Sequence, residues 1–329
     1  MATQSPFVSI LIALRNEQNN VPALCQSLKS LTYPVGQFEI LFGNDDSEDD
    51  TLEELKKHKP DQAKIFSYSN DDTGAYGKQR VLSALATQAK GTYVLFTDAD
   101  MIFDPEWVQA MLIRADSKQA LTVGLTKVDG EGWFAQMQNM DWLINECVLV
   151  FFSKLGVGLT AWGNNMLIAK STYESIGGHS QLDPTIVEDV ALLQRLKANG
   201  GQLVINTCPK AVASTKPELT WVALFHQRKR WMQGLSHASI WIWLAGFVKL
   251  LIWPSLLFLL LQSQVAWGLV ALLLGSKYLV FNRITQLTKC HFSITHLLIF
   301  EIYELVFYFL TFAFYLFPTQ IVWKGRKYQ

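Results

Sequence analysis

Charge is scarce in this chain, and cysteine scarcer. Only 17% of its 329 residues are Asp, Glu, Lys or Arg, against about 25% in soluble domains. Half are apolar, which excludes a disordered or collagen-like chain. The four cysteines (Cys25, Cys147, Cys208, Cys290) stand far apart and form no CxxC pair. Neither a zinc cluster nor a disulfide framework is therefore indicated, and a reducing compartment fits. There is no basic excess either: 28 Lys and Arg balance 28 Asp and Glu, so no nucleic-acid partner is expected. Met1 to Pro6 carries no basic stretch leading into an apolar one, so no cleaved secretion signal is expected ahead of the charged part.

The zero net charge hides a split. Residues 1–234 hold 21 basic and 26 acidic residues, whereas 235–329 hold 7 and 2. Between Leu235 and Trp323 only Lys249, Lys277, Arg283, Lys289, Glu301 and Glu304 are charged, and the apolar runs between them suit hydrocarbon. The length is about twice a one-domain prior of roughly 150 residues. We therefore expect a cytosolic domain over 1–234, followed by a membrane part over 235–329.

The first part alternates two hydrophobic periods. Phe7 to Leu14 is a short apolar run suited to a strand buried on both faces. Val21 to Leu31 then spaces Val21, Leu24, Leu28 and Leu31 at helical intervals behind Asn20. The alternation continues with strands at 38–42, 64–67, 93–96 and 121–126, and helices at 48–58, 78–89 and 105–115. It predicts an α/β fold with a mainly parallel sheet and helices on both faces. Ligands of such sheets bind beyond the carboxyl ends of the strands, and the residues there are acidic.

Gly43-Asn44-Asp45-Asp46-Ser47-Glu48-Asp49-Asp50 follows the second strand; alone, it is also what a solvated turn with carboxylates at a helix N-terminus would show. Thr97-Asp98-Ala99-Asp100 follows the strand at 93–96, and alternation in an extended segment points both carboxylates one way. Two such oxygen ligands suit Mg²⁺ or Mn²⁺ shared with a diphosphate, although an isolated DxD is common. Val187-Glu188-Asp189-Val190 opens an amphipathic helix that ends at Asn199-Gly200-Gly201, where capping would equally favour acidic residues. His226-Gln227-Arg228-Lys229-Arg230-Trp231 is the densest basic group of the first part, and a juxtamembrane anchor would have the same composition.

Taken in order, these clusters resemble the membrane-integrated family-2 glycosyltransferases of GT-A fold (Rossmann-like), the group of cellulose, chitin and hyaluronan synthases and ceramide glucosyltransferase-like enzymes. The resemblance covers roughly residues 5–235. Arg15-Asn16-Glu17 follows the first strand as in that family, TDAD (97–100) resembles its metal DxD, VED (187–189) its Thr-Glu-Asp motif and QRKRW (227–231) its QxxRW motif. Gly77-Lys78, Gly177-Gly178 and the ending WKGRKY (323–328) are weaker matches. Asn44 and Asp46 depart from the family's Asp-Asp-Gly-Ser turn, and Val187 replaces a Thr.

The resemblance implies donor binding by Ala13, Arg15, Glu17, Asp45, Lys78, Asp98 and Asp100, with Asp98 and Asp100 as metal ligands and Asp45 on the uracil edge. It implies catalytic roles for Asp189, Glu188 and Arg230, and contacts of Gln227 and Trp231 with the acceptor. The implied partners are a UDP-sugar donor, a lipid or glycan acceptor and membrane lipid. Sugar transfer from such a donor requires charge stabilisation on the departing diphosphate and a base at the acceptor hydroxyl, with Asp189 expected as that base in an inverting displacement. Processive polysaccharide synthesis is the rival within the class, and three apolar segments are few for a polymer channel. A catalytically silent membrane scaffold is the rival outside it, and the retained acidic residues argue against that. A DxD phosphatase is disfavoured by Met101-Ile102.

In the second part, 240–261, 265–281 and 294–317 are candidate spans, about 20 apolar residues being needed to cross roughly 30 Å of hydrocarbon. Six of eleven tryptophans (Trp221, Trp231, Trp241, Trp243, Trp253, Trp267) fall where a membrane interface would place them, and 234–243 is expected to lie along the surface. Two spans return Arg283 and Lys289 to the cytosol, as positive charge requires. A third would carry Lys324, Arg326 and Lys327 outside, and a cytosolic tail is preferred. The location expected is the inner or plasma membrane, multi-pass, with a cytoplasmic catalytic domain. Glu301 and Glu304 are expected to face protein, paired with Lys249 or Lys277, or else to mark an acceptor path.

Overall fold

The computed structural model describes residues 5–69, 77–115, 119–234, 240–317, 321–324 and 326–328. It falls into two compact units: residues 1–126 with 152–216, and residues 127–151 with 217–329. The change in charge density at 234/235 is thus not where the chain packing divides.

The first unit is built on a seven-stranded sheet. Strands β1 (Val8–Leu14), β2 (Phe38–Asp45), β3 (Ala63–Tyr68) and β4 (Tyr93–Thr97) pair in parallel in the order β3-β2-β1-β4. Beyond β4 come Asn165–Ala169, β5 (Ala120–Gly124) and Gln202–Asn206. The strand at 165–169 runs antiparallel to both its neighbours, which makes a mainly parallel sheet mixed. Sequence pattern marks the parallel strands well, because both their faces are covered. In β1, Val8, Ile10, Ile12 and Leu14 enter one core with Val21, Leu24 and Leu28 of helix α1 (Val21–Lys29) and with Trp107. Leu11 enters the other, with Val81, Leu82 and Leu85 of the helix Gly77–Gln88. Alternate residues of one strand thus feed two separate cores.

The second unit is helical: residues 132–151 of Gly132–Lys154 are followed by Trp221–Gly234, Ile240–Gln262, Val265–Thr288 and Ile294–Leu316. Expected spans at 240–261, 265–281 and 294–317 correspond to the last three, and the first of these continues through Lys249 and Pro254. The surface segment expected at 234–243 includes residues 235–239, which lie outside the described residues. Met137, Met140, Leu143, Leu224, Phe281, Leu297, Phe300 and Phe307 form the unit's own core. Its outer faces are left apolar: Leu261 is 84% exposed, Leu272 69% and Ile302 68%. Val265–Thr288 and Ile294–Leu316 are long and apolar enough to cross a membrane.

Glu301 and Glu304 do face protein. Lys277 Nζ lies 2.7 Å from Glu301 and 2.6 Å from Glu304, and Lys249 lies 3.5 Å from Glu304. The expected pairing is what the structure contains.

Candidate active site

Lys78 stands at the start of the helix Gly77–Gln88 and binds two carboxylates at once, Asp98 just beyond β4 and Glu188 at the start of the helix Glu188–Ala198, each at 2.8 Å. Burial alone would pull the ammonium's pKa down; Asp98 and Glu188 overcome that and hold it above the ordinary lysine value. Three segments far apart in sequence are joined here by one cation.

The joint is held from behind by Gln79. Its amide donates to the carbonyls of His179 (3.1 Å) and Leu182 (3.0 Å) and accepts from the Thr185 N–H (3.1 Å), fixing the loop that leads into Glu188. Gly177 and Gly178 both adopt positive φ, and a Cβ on Gly178 would stand 2.4 Å from the Tyr173 ring. Tyr173 in turn brackets His179: its hydroxyl accepts the His179 N–H at 2.9 Å and lies 2.8 Å from Nδ1. Burial lowers the His179 imidazole to about 4, so this histidine is a neutral packing group at ordinary pH.

Asp189 follows Glu188 and is placed differently. Its two oxygens accept N–H groups of Gly163 and Val190, each at 2.8 Å. Burial, reinforced by the neighbouring Glu188 charge, raises its carboxyl to about 6 against the opposing effects of Lys78 and the two N–H donors. Gly163 reaches it through the antiparallel strand. Thr97 at the carboxyl end of β4 pairs in register with Asn165, and the Thr97 hydroxyl donates to the Asn164 carbonyl at 2.7 Å. Residues 163–164 are thereby delivered to the edge where ligands of such sheets bind. A Cβ on Gly163 would stand 3.2 Å from that of Asp189.

The other expected residues have partners of their own. Asp45, buried at the end of β2, pairs with Arg80 at 3.2 Å. Arg15 donates to the carbonyls of Asp45 (2.9 Å) and Asp46, and to Glu48 at 2.6 Å, bracing the turn. Asp46 holds φ +53, the left-handed conformation for which the family pattern has glycine, so the turn persists without it. Glu17 accepts from Asn20 at 2.7 Å and its N–H donates to Thr51 at 2.6 Å. Ala13 lies in β1 opposite Gly43. Asp100 accepts from the Thr215 hydroxyl at 2.6 Å. Among the described residues no three His, Cys, Asp or Glu side chains gather as a ready-made metal site. Two hard carboxylates, Asp98 and Asp100, fit a Mg²⁺ or Mn²⁺ that draws its remaining oxygens from a substrate. Gln227, Arg230 and Trp231 belong to the second unit, on the helix Trp221–Gly234, where Gln227 donates to Glu218 at 2.9 Å. Arg80, Gln79, Gly163 and Thr215 carry no sequence signal of their own and are revealed only by their position in the fold.

Comparison with known proteins bears on the family and the fold. The model of Glycosyl transferase family 21 matches residues 1–329, and the chain belongs to that family. It is 30% identical over 244 residues to a beta-monoglucosyldiacylglycerol synthase of Trichormus variabilis (70% of this chain, 49% of the relative). A synthase of the same name from Synechocystis is 24% identical over 252 residues (73% and 50%), and a probable glycosyltransferase, YdaM, of Bacillus subtilis is 27% identical over 256 (74% and 59%). The chain spans about half the length of the first of these relatives. A solved mannosyltransferase of Pyrobaculum calidifontis, in complex with GDP-Man and Mn²⁺, superposes with a TM-score of 0.60 at 16% identity, over 92% of this chain and 88% of the other. That likeness bears out the GT-A-like fold.

Proposed function

We propose that this protein transfers a hexose from a nucleotide-diphosphate sugar, a UDP-sugar by motif, to the hydroxyl of a membrane lipid, with inversion at the anomeric carbon. The observation that carries the reading is the difference between adjacent carboxylates. Glu188 is tied to Lys78, whereas Asp189 meets no cation at bonding distance among the described residues, and burial raises its carboxyl to about 6, in the direction that suits a general base. Asp189 takes the proton from the acceptor oxygen as that oxygen attacks the anomeric carbon, and the nucleoside diphosphate leaves from the opposite face. Asp98 and Asp100 are the residues that would hold Mg²⁺ or Mn²⁺, which when bound supplies charge stabilisation to the diphosphate. Lys78 keeps the Asp98 and Glu188 charges compensated, so that Asp189 is the carboxylate left to accept a proton. Asp45 with Arg80 is assigned to the nucleoside, and Arg230, Gln227 and Trp231, by motif, to the diphosphate and the acceptor.

The glycolipid synthase relatives and the exposed apolar helix faces support a lipid acceptor and a multi-pass protein of the inner or plasma membrane, its residues 1–234 cytoplasmic. Incubating the protein in detergent with labelled UDP-sugars, Mn²⁺ and a lipid extract tests this directly. A single-sugar glycolipid of inverted configuration is expected. A polymer would establish processive synthesis instead, a retained configuration would exclude the in-line displacement, and no product with any donor would favour the scaffold.

A further inference from the structure

Within the second unit an aspartate outside every motif is buried to 1% exposure. Asp141, on the helix Gly132–Lys154, places Oδ2 at 2.8 Å from a guanidinium nitrogen of Arg228. Its Oδ1 accepts the Tyr308 hydroxyl at 2.8 Å and the Asn145 amide at 3.2 Å. Lys249 then donates to both of those, to Asn145 Oδ1 at 2.8 Å and to the Tyr308 hydroxyl at 2.9 Å. A carboxylate held at both oxygens inside such a network has little freedom to move, and neither has the guanidinium it holds. That guanidinium lies 4.3 Å from the ring centroid of Trp231. The same indole meets Trp142 edge-on, with centroids 5.1 Å apart and planes at 74°, and Trp142 is itself anchored by its N–H to Glu146 at 3.1 Å. Trp231 is thus fixed on its face by a charge and against its neighbour by geometry.

We infer that Asp141, acting through Arg228, is a positioning residue for Trp231, and that this pair sets how the acceptor is bound. The inference rests on the assignment of Trp231 to the acceptor. The chemistry of Arg228 suits both contacts at once, since its plane covers an aromatic face while its fork engages a carboxylate; a lysine ammonium is a point charge that cannot stack flat on a ring while holding a carboxylate in a fork. Asn at 141 keeps an acceptor for Tyr308 but turns an N–H₂ group towards Arg228, or the reverse if the amide flips.

The test compares Michaelis constants in the full-length protein with the lipid acceptor and the nucleotide-sugar donor varied separately. Arg228→Lys and Asp141→Asn are each expected to raise KM for the acceptor by roughly 2- to 30-fold, the range a cation–π contact spans, while KM for the donor stays unchanged. Combining either with Trp231→Phe should add less than the product of the separate effects, because all three act on one contact. Should Asp141→Asn fail to fold, Arg228→Lys retains the ion pair and carries the test alone. An unchanged acceptor KM in Arg228→Lys, or equal rises for donor and acceptor, overturns the inference while Trp231→Ala still raises the acceptor KM. If Trp231→Ala itself leaves that constant unchanged, the assignment of Trp231 falls and the inference with it.

Discussion

At the scale of single residues, the decisive contrast is between Asp189 and its neighbour Glu188. On the proposed reading, Asp189→Asn removes a base and no cation ligand. Transfer should fall by about 10²- to 10⁴-fold, the usual weight of general base catalysis, with nucleotide binding measured by calorimetry nearly intact; normal turnover would end the assignment. Because the Asp189 carboxyl is raised to about 6 by burial and by Glu188, it is a carboxylate above that pH and loses its capacity as a base below it. The rate should therefore be level above about pH 7 and decline about tenfold per unit below pH 5, and Asp189→Asn should flatten that profile. Asp100→Ala acts on the other reactant. It should weaken donor binding in the presence of Mn²⁺ or Mg²⁺ and abolish the difference made by the metal, whereas donor affinity that never depended on the cation would contradict the DxD assignment. Of these residues, the carboxylates were legible in the sequence because each motif keeps its acidic identity in place. Arg80 and Gln79 were not, since an Arg or Gln in a helix has no local pattern that reveals whom it meets.

At the scale of elements, the inserted antiparallel strand does what no parallel strand can: it starts, instead of ending, at the carboxyl edge of the sheet. The stretch from Gly130 to Gly163 has no decodable motif, yet its last residues supply the N–H that holds Asp189. Gly163→Ala places a methyl 3.2 Å from the Asp189 Cβ and 3.3 Å from Oδ2, tighter than ordinary van der Waals contact. We expect it to lower kcat with only a small change in melting temperature; wild-type kcat would show that the loop yields without displacing the carboxylate. The helix Glu188–Ala198 is fastened by Leu192, Leu193 and Leu196 in the core. Leu192→Ala should cost about 2–5 kcal/mol by cavity formation, read from denaturant unfolding of the detergent-solubilised protein.

At the scale of the whole molecule, the two units pack by different rules. The first unit covers both faces of a sheet; the second leaves large apolar side chains uncovered and buries several of its charges against one another. Arg228 with Asp141, and Lys249 and Lys277 with Glu301 and Glu304, balance three positive against three negative charges. Removing one member leaves an uncompensated charge, which costs about 3–5 kcal/mol when buried. Lys277→Met should accordingly lower the thermal midpoint in detergent by several degrees, and an unchanged midpoint would show that Glu301 and Glu304 are compensated otherwise.

The sequence by itself determined the strand and helix order, the position of the long apolar helices and the acidic residues of the candidate site, because hydrophobic period and residue type are local properties that each segment carries with it. The tertiary structure decided which carboxylate is tied to Lys78 and which is held by two backbone N–H groups instead. It also decided that a motif-free glycine reaches Asp189, and that Asp141 holds Arg228 against Trp231. Those depend on segments tens of residues apart meeting within 3 Å, and a buried charge takes its chemistry from whatever it meets.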